Sequence, residues 1–189
     1  LFPFPGRTMD TAVSLAILFS LVVLHEYGHA LMARRLGGHS DDILLWPLGG
    51  LAFVNAPMTP RAQFWTAAAG PLVNLGIGLI LILSALLWGC EISLETPPRK
   101  LPFFLIDNGI PGGAPWHFIV NEIFNYNAAL FFFNLIPAFP LDGGQILRAL
   151  IWNRFGYTQS TLAAIMLGRT LAVFLGIWGI VYLNPFLLG

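Results

Sequence analysis

The chain has 189 residues, of which 57% are hydrophobic and only 10% are charged, whereas soluble domains carry about 25% charged residues. Its mean hydropathy is +0.75. This composition excludes an ordinary soluble enzyme. Nine Lys and Arg balance nine Asp and Glu, which leaves no basic surplus to bind nucleic acid. The single cysteine, Cys90, excludes an intrachain disulfide framework and any metal site built from several cysteines.

Four stretches of the chain are long and apolar enough to cross a lipid bilayer as helices, since about 20 apolar residues span a hydrocarbon core of roughly 30 Å. They cover residues 11–36, 62–90, 116–136 and 161–183. The predicted fold is therefore that of an all-α polytopic membrane protein with about four transmembrane helices. We expect residues 1–189 to form a single membrane-embedded domain.

The distribution of Lys and Arg in the short loops predicts the orientation of these helices. One side would carry Arg34, Arg35, Arg61, Arg148, Arg154 and Arg169. The other side would carry Arg7, Arg99 and Lys100. Because cytoplasmic loops are enriched in Lys and Arg, we expect the first helix to end on the cytoplasmic side of the cell membrane.

The first predicted helix contains the sequence His25-Glu26-Tyr27-Gly28-His29. Histidines four residues apart lie on one helix face, about 6 Å from each other, and can bind one metal ion together. Glu26 is rotated by about 100° from His25, so it could accept a proton from a water molecule that the metal activates. This pattern is typical of zinc peptidases. Burial of such polar groups in a membrane helix is costly, which also favours a functional role.

Residues 43–60 follow the first helix and are uncharged, but prolines and glycines interrupt them, and helix interiors tolerate proline poorly. The apolar segments 43–46 and 51–54 flank a Pro-Leu-Gly-Gly turn, a pattern that favours two short strands. Non-helical backbone at membrane depth persists only where protein or water satisfies its polar groups. We therefore predict a short re-entrant β-hairpin between the first and second helices, packed near a polar site.

A catalytic zinc site usually needs a third protein ligand and one open position. The candidates elsewhere are His39, Asp107, His117, Glu122 and Asp142. Asp142 follows two prolines that end the third helix and precedes a Gly-Gly pair that allows a sharp turn, so its carboxylate could lie at the depth of His25 and His29. A solvated turn aspartate is an equally good interpretation of this spacing.

Three motifs occur in order along the chain: His25-Glu26-x-x-His29, Gly70-Pro71-Leu72-Val73-Asn74 and Asn134-x-x-Pro137-x-x-Pro140-x-Asp142-Gly143. Together they resemble the site-2 protease family of intramembrane zinc metalloproteases over a core of about residues 11–150. The resemblance implies that Asp142 is the third ligand of one Zn²⁺ per chain and that Glu26 is the catalytic acid/base. It also implies that residues 43–54 form a membrane-embedded hairpin near the substrate. The family often has a further helix before the metal-binding helix, where this chain has ten residues.

Two asparagines and one strand are candidate substrate contacts. Asn74 and Asn134 could orient a substrate backbone or polarise its carbonyl, or they could form the interhelical hydrogen bonds that amides commonly supply in membrane helices. The strand edge that would pair with an unwound substrate consists of Leu51, Ala52, Phe53 and Val54.

The sequence thus predicts an intramembrane zinc endopeptidase. Its substrates would be single-pass or signal-type membrane proteins, cut within or near their transmembrane segments in regulated intramembrane proteolysis. A catalytically silent binding protein on the same scaffold is an alternative, but such a protein would not need the carboxylate of Glu26. A metal transporter is a third hypothesis, although transport usually calls for pseudo-symmetric repeats or paired broken helices, and neither is visible in the sequence.

Overall fold

The structure, a computed structural model, describes residues 7–46, 49–88, 91–95, 103–107 and 115–183, with side chains described for residues 11–39, 55–88 and 118–179. The elements in these residues are α1 (Arg7–Arg35), β1 (His39–Trp46), β2 (Gly49–Asn55), α2 (Pro60–Leu87), β3 (Glu91–Glu95), β4 (Phe103–Asp107), α3 (Pro115–Asn134) and α4 (Asp142–Leu183). A helix therefore occupies each of the four predicted regions, and the described part of the chain is mainly helical.

Three of the four helices in this part are long and apolar enough to cross a membrane. These stretches are Thr11–Arg35, Pro60–Leu87 and Asp142–Gly179. The helix predicted at residues 116–136 is present as α3, which carries the polar residues Asn121, Glu122, Asn125 and Asn127. It is not one of the three spans, and its crossing of the bilayer stays a prediction.

The last helix is longer than the sequence predicted. Instead of starting near residue 161, α4 begins at Asp142 and continues for 42 residues. Its axis is interrupted at Gly156, where φ is 79° and ψ is 165°. Glycine adopts a positive φ without the steric penalty that a side chain brings, so the helix can change direction there.

The prediction of a sharp turn at Gly143 and Gly144 is wrong, because both residues lie in the first turn of α4. Their missing side chains serve close packing instead. A Cβ on Gly143 would collide with the backbone carbonyls of Leu135 and Ile136. A Cβ on Gly144 would lie 2.6 Å from the carbonyl carbon of Ala138. The two glycines thus let the segment after α3 fold back against the start of α4.

Strands β1 and β2 pair in antiparallel fashion, from His39 opposite Asn55 to Trp46 opposite Gly49, with a register shift between Ser40 and Ile43. They occupy the region of the predicted hairpin. Residues 47–48 and the side chains of residues 40–54, which include the candidate substrate strand Leu51–Val54, lie outside the described part of the chain. The re-entrant, membrane-embedded position of the hairpin stays a prediction.

Helices α1 and α2 approach each other through small residues. A Cβ on Gly28 would lie 2.8 Å from the carbonyl oxygen of Ala69 and 2.8 Å from Cγ2 of Val73. Small residues at helix interfaces allow backbones in a membrane to approach closely. This contact aligns the face of α1 that carries His25 and His29 with the middle of α2.

Polar side chains occupy part of the interior, and many large apolar side chains face outwards. Among the described side chains, Asn74 and Ser160 are the largest that are fully buried, whereas Ile80 and Leu87 on α2 are 68% and 87% exposed. Lipid accepts such apolar surface, and polar groups in a membrane protein are expected to face its interior. The buried polar residues of this chain therefore mark the region in which a functional site is expected.

Candidate active site

Three side chains predicted from the sequence converge inside the helical core. Nε2 of His25 lies 3.0 Å and Nε2 of His29 lies 3.2 Å from Oδ2 of Asp142, and the two Nε2 atoms are 3.1 Å apart. Each residue is less than a tenth exposed. Within the described residues, α1 thus supplies two possible metal-binding atoms and the first residue of α4 supplies the third.

Nε2 of His25, Nε2 of His29 and Oδ2 of Asp142 form a triangle, and the size of this triangle fits a zinc ion. Zinc binds imidazole nitrogen and carboxylate oxygen at about 2.0–2.2 Å, and tetrahedral ligands at such distances lie about 3.3 Å from one another. The observed separations of 3.0–3.2 Å are close to this value. Two imidazoles and one carboxylate are also a donor set that catalytic zinc sites use, with the fourth position left for water or substrate.

The outer nitrogens of both rings are held by oxygen atoms. Nδ1 of His29 donates to the backbone carbonyl of Thr66 at 2.7 Å, and Nδ1 of His25 donates to Oδ1 of Asn74 at 3.0 Å. Because carbonyl oxygens only accept hydrogen bonds, each Nδ1 must carry a proton, and each neutral ring then offers a lone pair on Nε2. With both rings neutral, three acceptor atoms face one point, which is the arrangement that a bound cation requires.

The orientation of the Asn74 amide is fixed by a residue of α3. Nδ2 of Asn74 donates to the backbone carbonyl of Asn127 at 3.5 Å, and Nδ2 of Asn127 donates to the backbone carbonyl of Asn74 at 2.8 Å. Since the carbonyl of Asn127 can only accept, the amide nitrogen of Asn74 faces α3 and its oxygen faces His25. Both asparagines are at most 3% exposed.

The sequence left two roles open for Asn74: contact with substrate and interhelical hydrogen bonding. The contacts that Asn74 makes in the structure are interhelical hydrogen bonds. They join α2 to His25 on α1 and to Asn127 on α3. Asn127 itself was missed by sequence reasoning, although a polar residue within an apolar helix is a signal that could have identified it. Asn134 is half-buried at the end of α3, and its contact with substrate stays a prediction.

Of the other candidate ligands, the two whose side chains the structure describes do not join the triangle. His39 is exposed at the start of β1. Glu122 accepts a hydrogen bond of 2.8 Å from Oγ of Ser14, near the opposite end of α1. The side chains of Asp107 and His117 lie outside the described part of the chain.

Gly70 of α2 lies directly against the two rings. A Cβ at this position would lie 2.6 Å from Cε1 of His29 and 2.7 Å from Nε2 of His25. Any side chain there would displace the imidazoles, so only glycine allows α2 to pack over the triangle. Glu26 follows His25 on α1 and is half-buried, which places a carboxylate beside the two histidines.

Comparison with known proteins agrees with this arrangement. Residues 13–176 match the model of peptidase family M50. A zinc metalloprotease from Methanocaldococcus jannaschii is 34% identical over 177 residues, which are 94% of this chain and 45% of that protein. A relative from Synechocystis sp. is also 34% identical, over 92% of this chain and 41% of its own length. The chain thus spans less than half the length of these curated relatives.

A solved structure is also similar to this chain. The site-2 protease from Methanocaldococcus jannaschii has a TM-score of 0.64 against this chain at 32% sequence identity, with 93% of this chain and 71% of that chain covered. The family match covers most of the chain, and His25, His29 and Asp142 of the sequence motifs meet in the structure. The chain therefore belongs to peptidase family M50, the site-2 protease family of zinc metalloproteases.

Proposed function

We propose that this chain is an intramembrane zinc endopeptidase that cuts other membrane proteins within or near their transmembrane segments. The observation that carries the proposal is the buried triangle of acceptor atoms formed by His25, His29 and Asp142. Membership of a zinc metalloprotease family and three helices that could cross a membrane support it. Single-pass or signal-type membrane proteins are the substrates we propose.

The residues of the site suit peptide hydrolysis. Zinc bound by His25, His29 and Asp142 would supply Lewis-acid activation of a water molecule and of the scissile carbonyl. Glu26 would accept the proton of the attacking water and then deliver it to the leaving amide nitrogen, which is general base followed by general acid catalysis. Asn74 and the carbonyl of Thr66 would keep both rings in the orientation that binding needs.

The substrate would reach the site as an extended peptide, since the side chains and hydrogen bonds of a helix shield its peptide bonds from attack. We propose that strand β2 offers it an edge for pairing, with Leu51–Val54 in contact. The antiparallel pairing of β1 with β2 supports this role. So does the close packing at Gly38, just after α1: a Cβ there would collide with the carbonyl oxygen of Asn55, which places the base of the hairpin against the end of the metal-binding helix.

We further propose that the site opens to the cytoplasmic side of the cell membrane. Arg34 and Arg35 in the last turn of α1 and Arg61 in the first turn of α2 are exposed. They lie at the ends of the two helices that the hairpin connects. Because cytoplasmic loops are enriched in Lys and Arg, this end of the molecule would be cytoplasmic.

The ligand set can be tested by metal analysis. We expect purified protein to contain about one zinc per chain, and the single variants His25→Ala, His29→Ala and Asp142→Ala to contain far less, since each removes one corner of the triangle. His39→Ala is the matched control, because His39 is exposed and lies outside the triangle. Undiminished zinc in the Asp142→Ala variant would remove that residue from the site.

The role of Glu26 is tested by the variant Glu26→Gln. Glutamine is nearly isosteric, so zinc content should stay at the wild-type value, while cleavage of a membrane-protein substrate should fall by about 10²–10⁴ because the proton acceptor is lost. Tyr27→Phe, at a 54% exposed neighbouring position, should leave both quantities unchanged. Cleavage by Glu26→Gln at more than roughly a tenth of the wild-type rate would contradict the role.

The hydrogen bonds behind His25 predict an effect of Asn127 on metal affinity. In Asn127→Ala the amide of Asn74 loses its partner on α3, so the ring of His25 is less well oriented, and the zinc affinity should fall by about 10- to 100-fold. Asn125→Ala is the control, since Nδ2 of Asn125 donates within its own helix to Asn121. Equal zinc affinities for the two variants would be evidence against this role of Asn127.

Cross-linking tests the proposed substrate strand. Single cysteines at positions 51 to 54, in a Cys90→Ser background, should cross-link to a bound substrate, and substrates with helix-breaking residues near the scissile bond should be cut faster than an all-Leu segment. Cysteines at Val173 and Ile177, which are exposed on α4, serve as controls. Cross-links that form only with α4 would mean that the hairpin does not hold the substrate.

A further inference from the structure

Arg148 is a buried cation for which the proposed chemistry has no use. It lies on α4 and is 8% exposed. Nη2 donates to Oε1 of Gln63 at 2.8 Å, and Nη1 lies 3.5 Å from the hydroxyl of Tyr157. The guanidinium also lies over the rings of Phe139 and Tyr157, 5.5 Å and 5.2 Å from their centroids. These partners are all neutral, although burying a charge is costly, and such a residue in a membrane protein usually has a function.

Gln63 connects Arg148 to the segment that follows the hairpin. Its Nε2 donates to the backbone carbonyls of Ala56 and Pro57, each at 3.3 Å. Because a guanidinium only donates, the oxygen of Gln63 must face Arg148 and its amide nitrogen must face the two carbonyls. The side chain is thus fixed in one orientation. It connects α4 to residues 56–59, which we call the β2–α2 linker.

The same helix carries the third corner of the metal site. Asp142 precedes Arg148 by six residues, which is about 9 Å along an α-helix. Strand β2 ends at Asn55, directly before the β2–α2 linker. One rigid helix therefore holds the carboxylate of the metal site and, through Gln63, the end of the strand.

We infer that Arg148 is a positioning residue: through Gln63 it holds the β2–α2 linker, and with it strand β2, at a fixed distance from Asp142. The inference rests on the proposed function, in which β2 receives the substrate. Loss of the contact would leave the three metal-binding side chains in place but let the strand move. The expected signature is unchanged zinc content with a displaced linker and a weakened capture of substrate.

The position of the linker can be measured without any assay of cleavage. Spin labels on cysteines at Met58 in the linker and Leu150 on α4, which are 64% and 63% exposed, would be placed in the full-length, zinc-loaded Cys90→Ser protein. Pulsed electron paramagnetic resonance should give one narrow distance distribution. Arg148→Gln and Gln63→Leu should each broaden it, Arg148→Lys should largely restore it, and Arg154→Gln, at an exposed arginine of the same helix, should leave it unchanged.

Kinetics give the second measurement. Arg148→Gln and Gln63→Leu should each lower kcat/KM by about 10- to 100-fold, as expected for a misplaced substrate, mainly through a higher KM. The double variant should be no worse than either single variant, because both break one connection. Additive effects, or a distance distribution that stays narrow in both single variants, would overturn the inference.

The two measurements also separate this inference from the proposed function. If the wild-type protein binds zinc but cuts no substrate, the proposed function fails while the spin-label distances still decide where Arg148 holds the linker. If Arg148→Gln loses its zinc, Gln63→Leu provides the same test with the arginine retained. A broadened distance together with unchanged kcat/KM would show that the linker moves but does not govern substrate capture, which contradicts the inference.

Discussion

The organisation of the molecule depends on one electrostatic constraint: three hydrogen-bond acceptors face a common point inside a membrane protein. Both histidine rings donate from Nδ1 to oxygen atoms, so in the neutral rings the Nε2 lone pairs point towards a carboxylate oxygen of Asp142. A cation at the centre of such a cluster offsets the mutual repulsion of the three acceptor atoms. This cluster forms because α1 and α2 approach each other closely and because α4 begins at Asp142.

The interior that surrounds the cluster is polar where an ordinary core would be apolar. Asn74 and Asn127 exchange hydrogen bonds between side chains and backbone, and Gln63 connects Arg148 to backbone carbonyls. These hydrogen bonds join α2 to α1, α3 and α4, which holds the helices relative to one another as well as the rings. In this chain the polar network, and not a cluster of large apolar side chains, therefore determines the precise geometry of the centre.

Sequence reasoning succeeded where the geometry is local. The spacing of His25 and His29 fixes their separation on one helix turn, and long apolar runs predicted the helices. It could not choose Asp142 from spacing alone, because 117 residues separate it from His25 and only tertiary packing sets their distance; the family resemblance made that assignment. The prediction for Gly143 and Gly144 was wrong because glycine occurs both in sharp turns and where backbones pack closely. In this structure the two glycines allow close packing. The helical stretch after Asp142 was missed because Gly156, Arg148 and Arg154 obscure its apolar pattern.

X-ray absorption spectroscopy at the zinc edge tests the central claim most directly, because it reports the atoms around the metal without a substrate or an assay. We predict a four-coordinate zinc with two imidazole nitrogens and the remaining ligands oxygen, all at about 2.0–2.2 Å. In Asp142→Ala protein reconstituted with zinc, the two imidazole contributions should persist while the oxygen contribution changes. A sulfur ligand, a shell of six oxygens or a single imidazole would contradict the assignment of His25, His29 and Asp142 as the metal-binding residues.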